Sequence, residues 1–127
     1  MGKVTEKRKT GNLGEDIACI FLESRGFKIL DRNFSKPWGE IDIIAVSKGI
    51  VRFIEVKSIT VAQFSREMDQ RPEELVDDRK LRKVSRTASL YMENKCDNRE
   101  YQIDVVGVLL NKTTRQARCR LFEQVLG

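Results

Sequence analysis

Along this chain, apolar positions alternate with a period of two in some stretches and recur at three-to-four spacing in others, and each change of rhythm marks an element. Leu13, Ile17, Ile20, Phe21 and Ser24 recur at helical spacing, so Asn12 to Arg25 is predicted as a first helix closed by Gly26. Phe27 to Phe34 follows as a strand, and Ser35-Lys36-Pro37-Trp38-Gly39 turns the chain. Two β-branched, apolar runs then flank Ser47-Lys48-Gly49, which reads as a β-hairpin with its turn at Lys48-Gly49. From Ser58 to Val76 the pattern loosens into a long loop, a length that suits either function or disorder. Asp77 to Lys95 is a second helix with Leu81, Val84, Ala88, Tyr91 and Met92 as its buried stripe, and Asp77-Asp78 complement the positive end of its dipole. Tyr101 to Leu110 is a strongly apolar strand expected at the middle of the sheet. Arg115 to Leu126 returns as an edge strand with Ala117, Cys119 and Leu121 inward.

The succession is αβββ-αββ, an α/β fold with a mixed sheet flanked by helices. Its 127 residues suffice for one domain with one sizeable core, and no internal repeat divides it. Residues 1–10 read as a basic arm, either a flexible contact for phosphates or a solvated tail, and 11–127 as the folded domain.

Composition narrows the class of function. With 40% hydrophobic and 34% charged residues the chain is of the globular kind rather than the disordered one. No apolar run approaches the ~20 residues that span a bilayer, and the basic N-terminus lacks the apolar segment of a secretory signal. A cytoplasmic protein without a membrane partner is expected. The net charge of +5 suits a polyanionic partner. The chain has no histidine, which excludes Ser-His and Cys-His nucleophile pairs, His-containing zinc sites and His-based nucleases. Hydrolysis would rest on carboxylates, lysine or a metal. Cys19, Cys96 and Cys119 are isolated, odd in number and without Cys-x-x-Cys spacing, so they read as small packing residues in a reducing compartment.

The hairpin carries the candidate chemistry. A two-residue turn at Lys48-Gly49 sets Asp42 opposite Glu55 and Glu40 opposite Lys57, because paired residues keep a constant sum. Directly opposed residues have Cβ atoms roughly 4.5–5.5 Å apart. Strict alternation would send Glu40, Asp42, Glu55 and Lys57 out of one face of the sheet. Two carboxylates held together in apolar surroundings favour a shared proton or a bound cation. Mg²⁺ suits them, since it takes one or two carboxylates and fills its other positions with water and substrate phosphate. Lys57 would stand beside it, able to orient a water or stabilise charge on a phosphodiester oxygen. The competing interpretation makes Glu40 and Asp42 the solvated face of a one-sided strand, with Glu40 a cross-strand partner of Lys57. A second Glu-x-Lys at Glu93-Asn94-Lys95, in a predicted helix, shows how little that tripeptide means alone.

Three further residues keep two readings each. Glu15, three residues after Asn12, fits a capping box as well as a site role. Trp38 is either a stacking platform for a base or a lid over the core. Asp104 is either a partner of a site lysine or a strand-edge charge.

Gly11-Asn12-Leu13-Gly14-Glu15, Gly39-Glu40-Ile41-Asp42-Ile43-Ile44-Ala45 and Phe53-Ile54-Glu55-Val56-Lys57, in that order, resemble the YraN-like family of small bacterial proteins. That family is placed in the PD-(D/E)XK nuclease superfamily, near the archaeal Holliday-junction resolvases. The likeness runs from about Gly11 to Asp104. It implies a restriction-endonuclease-like core in which Asp42 and Glu55 bind Mg²⁺ or Mn²⁺, Glu15 completes the acidic cluster and Lys57 assists the attack. It also implies that Lys80 points toward the scissile phosphate. Ile41 stands where the superfamily label has Pro, Ser58-Ile59 where a basic residue often follows the lysine, and Leu81 where a Gln follows the match to Lys80. These departures bear on substrate contacts and leave Asp42, Glu55 and Lys57 untouched.

Arg79, Lys80, Arg82, Lys83 and Arg86 crowd the outer face of the second helix, a surface that a polyanion or plain solvation would relieve. Arg118 and Arg120 would face outward on the last strand, guarding that edge or adding to a phosphate-binding surface. Three functions follow: a metal-dependent endonuclease; a catalytically silent nucleic-acid-binding module serving a repair or recombination partner; or a structural protein with an incidental acidic cluster. For the first, the resemblance implies structured or branched DNA as substrate and a homodimer as the working form.

Overall fold

The computed structural model describes residues 6–62 and 76–126, with the side chains of the first helix from Asn12 onward. The elements are α1 (Glu6–Ser24), β1 (Lys28–Lys36), β2 (Gly39–Ser47), β3 (Ile50–Val61), α2 (Asp78–Asn94), β4 (Tyr101–Asn111) and β5 (Gln116–Phe122), the αβββ-αββ order the pattern predicts. The five strands form one mixed sheet in chain order. β1, β2 and β3 are antiparallel neighbours, β4 joins β3 in parallel after the α2 crossover, and β5 returns antiparallel at the edge. β4 is an interior strand, paired on both sides, as its apolar run predicts. No helix among the described residues is long and apolar enough to cross a membrane.

The central hairpin has the predicted register. Ser47 pairs with Ile50 and the sum persists to Ile43 opposite Ile54. Lys48 and Gly49 both have positive φ, 53° and 76°, as a two-residue turn between right-twisted strands requires. α1 and α2 cover opposite faces of the sheet. Ile44, Phe53, Ile103 and Val105 pack with Leu81, Val84, Ala88 and Met92 of α2. Ile43, Ala45, Ile54, Val106 and Val108 pack with Ala18, Cys19 and Leu22 of α1.

Several expectations are corrected. α1 starts at Glu6, so residues 6–10 form its first turns instead of belonging to an arm, while 1–5 lie outside the described residues. Asn12 is thus interior to the helix and cannot cap it, which removes the capping role offered for Glu15. The buried stripe of α1 is Gly14, Glu15, Ala18, Cys19 and Leu22, whereas Leu13 and Ile20 are 51% and 69% exposed. Packing, not apolarity, selects this face: a Cβ on Gly14 would overlap the Ser58 hydroxyl of β3, so only small residues let the helix lie this close.

β3 continues to Val61, because β4 pairs with it residue for residue from Val51 opposite Tyr101 to Val61 opposite Asn111. Its last residues are thus strand where the pattern predicts loop, and of that loop 63–75 lie outside the described residues. α2 matches its predicted bounds, with Asp77 as N-cap accepting from the Lys80 amide. Cys96 is exposed rather than packed, and occupies a left-handed position (φ 51°) in the hydrogen-bonded turn that ends α2. Ala117 is exposed too, and Trp38 stands exposed at the β1–β2 turn, so it is no lid. Asp104 is neither an edge charge nor a partner of a site lysine. It is fully buried, bound by Arg52 at 3.0 Å, by the Gln102 side chain at 2.8 Å and by the Gln124 amide at 2.9 Å.

Candidate functional site

Pairing between β2 and β3 stops at Ile43 opposite Ile54, one step short of the acidic pair. Beyond it the Val56 amide donates to Asp42 Oδ2 at 2.8 Å instead of to a strand carbonyl. The side-chain alternation of β2 breaks at the same place. Ile41 and Ile44 pack on the α2 side, three residues apart, while Ile43 packs on the α1 side. Strands that part while keeping both ends in the sheet leave a notch, and Asp42 stands in it.

Asp42, Glu55, Val56, Lys57, Val76, Asp77 and Lys80 line one cavity of about 340 Å³. Glu55, on the middle strand of the sheet, is only 4% exposed, and its Oε1 is buried without a hydrogen-bond partner. Its Oε2 lies 3.8 Å from the Lys80 ammonium, brought over by the first turn of α2. Burial pushes the Glu55 carboxyl up to about 8, with the Asp42 charge adding to the rise and Lys80 opposing it. Burial raises Asp42 as well, against the pull of the Val56 amide and Lys80. At neutral pH the free pair therefore keeps a proton on Glu55.

Lys57 is exposed at the cavity's rim. Glu40 departs from the expected common face. It lines a separate hollow of about 360 Å³ with Asn12, Asn33, Ser35 and Asp42, and Glu55 and Lys57 do not. The break in alternation between Ile41 and Ile44 is the reason. Glu15 is 8% exposed on α1 and faces Arg32, whose Nη2 lies 3.7 Å from its Oε1 and 2.7 Å from Asp16 Oδ1. Burial raises its carboxyl, and the charge of Asp42 raises it further. Glu15 is thus close enough to feel Asp42 but is not part of the cavity wall.

Two carboxylates, one with a buried, unpartnered oxygen, fit a hard divalent cation that takes its remaining ligands from water and phosphate. Among the described residues no three acidic or cysteine side chains converge into a ready cage. Arg79, Lys80, Arg82, Lys83 and Arg86 lie on α2, whose first turn borders the notch, and all five are exposed. Arg32 went unremarked in the sequence. It lies on a different element from Glu15 and Asp16, and only the packing of α1 against β1 joins them.

The profile of the family described as "Uncharacterised protein family UPF0102" matches residues 14–108, well over half of the chain. The chain belongs to the UPF0102 (YraN-like) family. A UPF0102 protein of Caldanaerobacter subterraneus is 37% identical over 111 residues, 86% of each chain. One of Fervidobacterium nodosum is 38% identical over 102 residues, 80% of this chain and 72% of its own. One of Campylobacter jejuni is 43% identical over 96 residues, 76% of this chain and 80% of its own. The family match takes in Glu15, the whole hairpin and α2, the segments that frame the notch.

Proposed function

We propose that this UPF0102 member is a metal-dependent endonuclease of the PD-(D/E)XK type that hydrolyses phosphodiesters of structured or branched DNA. The observation that carries the reading is the notch where β2 and β3 part, with Asp42 and the buried Glu55 carboxyl, one oxygen of it without a hydrogen-bond partner, in one cavity with Lys57 and Lys80. Asp42 and Glu55 would hold Mg²⁺ or Mn²⁺, and Glu15 bears on them through the charge of Asp42. Bound there, such an ion supplies Lewis-acid stabilisation of a phosphodiester oxygen and a more acidic water.

The chain's own residues supply the rest. The Val56 amide fixes the Asp42 carboxylate. Lys57, at the rim, is placed to orient a water or to offset charge on the attacked phosphate. Lys80 stands 3.8 Å from Glu55 Oε2, and its ammonium would be available to a phosphate in the same cavity. The cations along α2 then bind the flanking backbone. The same resting Lys80–Glu55 contact favours a second reading, a nucleic-acid-binding module without turnover that serves a repair or recombination partner.

Mn²⁺ titration and cleavage of duplex and branched DNA separate the readings. Asp42→Ala is expected to abolish Mn²⁺ binding, and Glu55→Ala and Lys57→Ala to lower cleavage at least a hundredfold (the order lost with one electrostatic stabilising group) while DNA binding persists. Unchanged Mn²⁺ affinity in Asp42→Ala refutes the site. A wild type that binds DNA but cuts none with either metal leaves the silent module.

A further inference from the structure

Three residues side by side on the sheet carry the candidate site beyond its notch. Parallel pairing sets Lys57 of β3 beside Gly107 of β4, and antiparallel pairing sets Gly107 beside Arg120 of β5. The neighbouring rows fix the face. Glu55, Val105 and Phe122 lie on the α2 side, Glu55 against Lys80 and the other two within or against the α2-facing core. Val56, Val106 and Leu121 belong to the α1-facing core. Alternation then places Lys57, Gly107 and Arg120 together on the α2 side. Consistent with this, the Arg120 guanidinium stands 5.3 Å over the ring of Phe122. Two residues back along β5, Arg118 pairs with Leu109 and belongs to the same face.

We propose that the row Lys57–Gly107–Arg120, with Arg118 beside it, is a track for the phosphodiester backbone of the nucleic acid as it leaves the Asp42–Glu55 notch. The inference rests on the nuclease reading above. Strand spacing holds Lys57 and Arg120 roughly 10 Å apart. Gly107 between them raises no side chain, so the row presents backbone with a cation on either side. β5 is the edge strand, and the track therefore runs to the edge of the sheet. Arginine at that end grips phosphate oxygens in pairs, which lysine does not, and it stays charged at any working pH. The alternative role for Arg118 and Arg120 is to guard the edge from mispairing. It predicts changed self-association and no change in salt dependence.

The test measures binding of a fluorescent duplex and of the matching single strand across a salt series in EDTA. Removing one cation that neutralises a phosphate should reduce the slope of log affinity against log salt by about 0.9 on duplex or 0.7 on single strand. Arg120→Ala is expected to show that reduction, Arg118→Ala to show it too, and Arg120→Lys to restore the slope. Lys112→Ala, in the β4–β5 turn beside the hollow formed with Leu13 and Ile17 of α1, removes the same charge off the track and should leave the slope intact. An unchanged slope in Arg120→Ala overturns the track, and so does an equal reduction in Lys112→Ala. In either case a wild type that binds and cuts DNA leaves the nuclease reading standing. A wild type whose binding to both DNAs is absent or insensitive to salt overturns the track and the nuclease reading together.

Discussion

With its carboxyl raised to about 8, Glu55 keeps a proton at neutral pH in the folded, metal-free protein, whereas in the unfolded chain it ionises near the ordinary glutamate value of 4.5. The folded state therefore binds more protons than the unfolded state through that window, and stability must fall as pH rises. The contribution is complete below the unfolded value and is lost as pH rises through the folded one. Asp42, also raised, adds in the same direction. Urea midpoints in EDTA are expected to decline from about pH 5 to about pH 8 and then level off, and Glu55→Gln should remove most of the decline. A slope unchanged by Glu55→Gln would assign it to another group. Asp42, Glu55 and Lys57 were legible as a constellation because hairpin register is arithmetic once the turn is placed. The separation of Glu40 was not, since a break in alternation leaves no mark in a run as regular as Glu40-Ile41-Asp42-Ile43.

The elements were legible in number, order and type, and less so in which face each one buries. α2 shows its apolar stripe openly, and its buried residues are largely those the periodicity picks. α1 misleads, because its large apolar residues Leu13 and Ile20 are exposed while Gly14 and Ala18 meet the sheet. Close approach at Gly14 and Ser58 turns that helix so that Glu15 looks toward Asp42. Gly14→Ala should therefore lift α1 from β3 and cost about 1–3 kcal/mol, the range for an overfilled contact. Ser58→Gly in the same chain should recover part of that cost. Denaturation of the two single variants and the double variant measures the coupling, and strict additivity would mean that the contact does not hold the helix in place. The full length of β3 was hidden as well, since Ser58 to Val61 look loop-like until β4 supplies partners for them.

Across the whole molecule, a charge network built on the buried Arg52–Asp104 pair joins the sheet to the C-terminal residues. Arg52 on β3 bridges Asp104 on β4 at 3.0 Å and Glu123, just past β5, at 2.9 Å. Asp104 also accepts from the Gln124 amide. Asp104→Ala would leave the buried Arg52 with only the exposed Glu123 and would strip the Gln102 and Gln124 donors of their acceptor, so it is expected to destabilise by about 3–5 kcal/mol. Guanidinium denaturation checks this, and a destabilisation below about 1 kcal/mol would mean that Glu123 alone satisfies Arg52. Asp104 and Arg52 are 52 residues apart, and no local pattern ties them. The same holds for Glu15 with Arg32 and for Lys57 with Arg120. What short-range rules could settle was settled in the chain: a turn at Lys48-Gly49, the strand pairing that follows from it, and an amphipathic α2. Those rules act over a few residues and depend on backbone geometry alone. The parting of β2 from β3, the inward turn of Glu15 and the placing of Lys57 and Arg120 on either side of Gly107 required helices and strands to compete for the same space. That competition is resolved only when every element is in place.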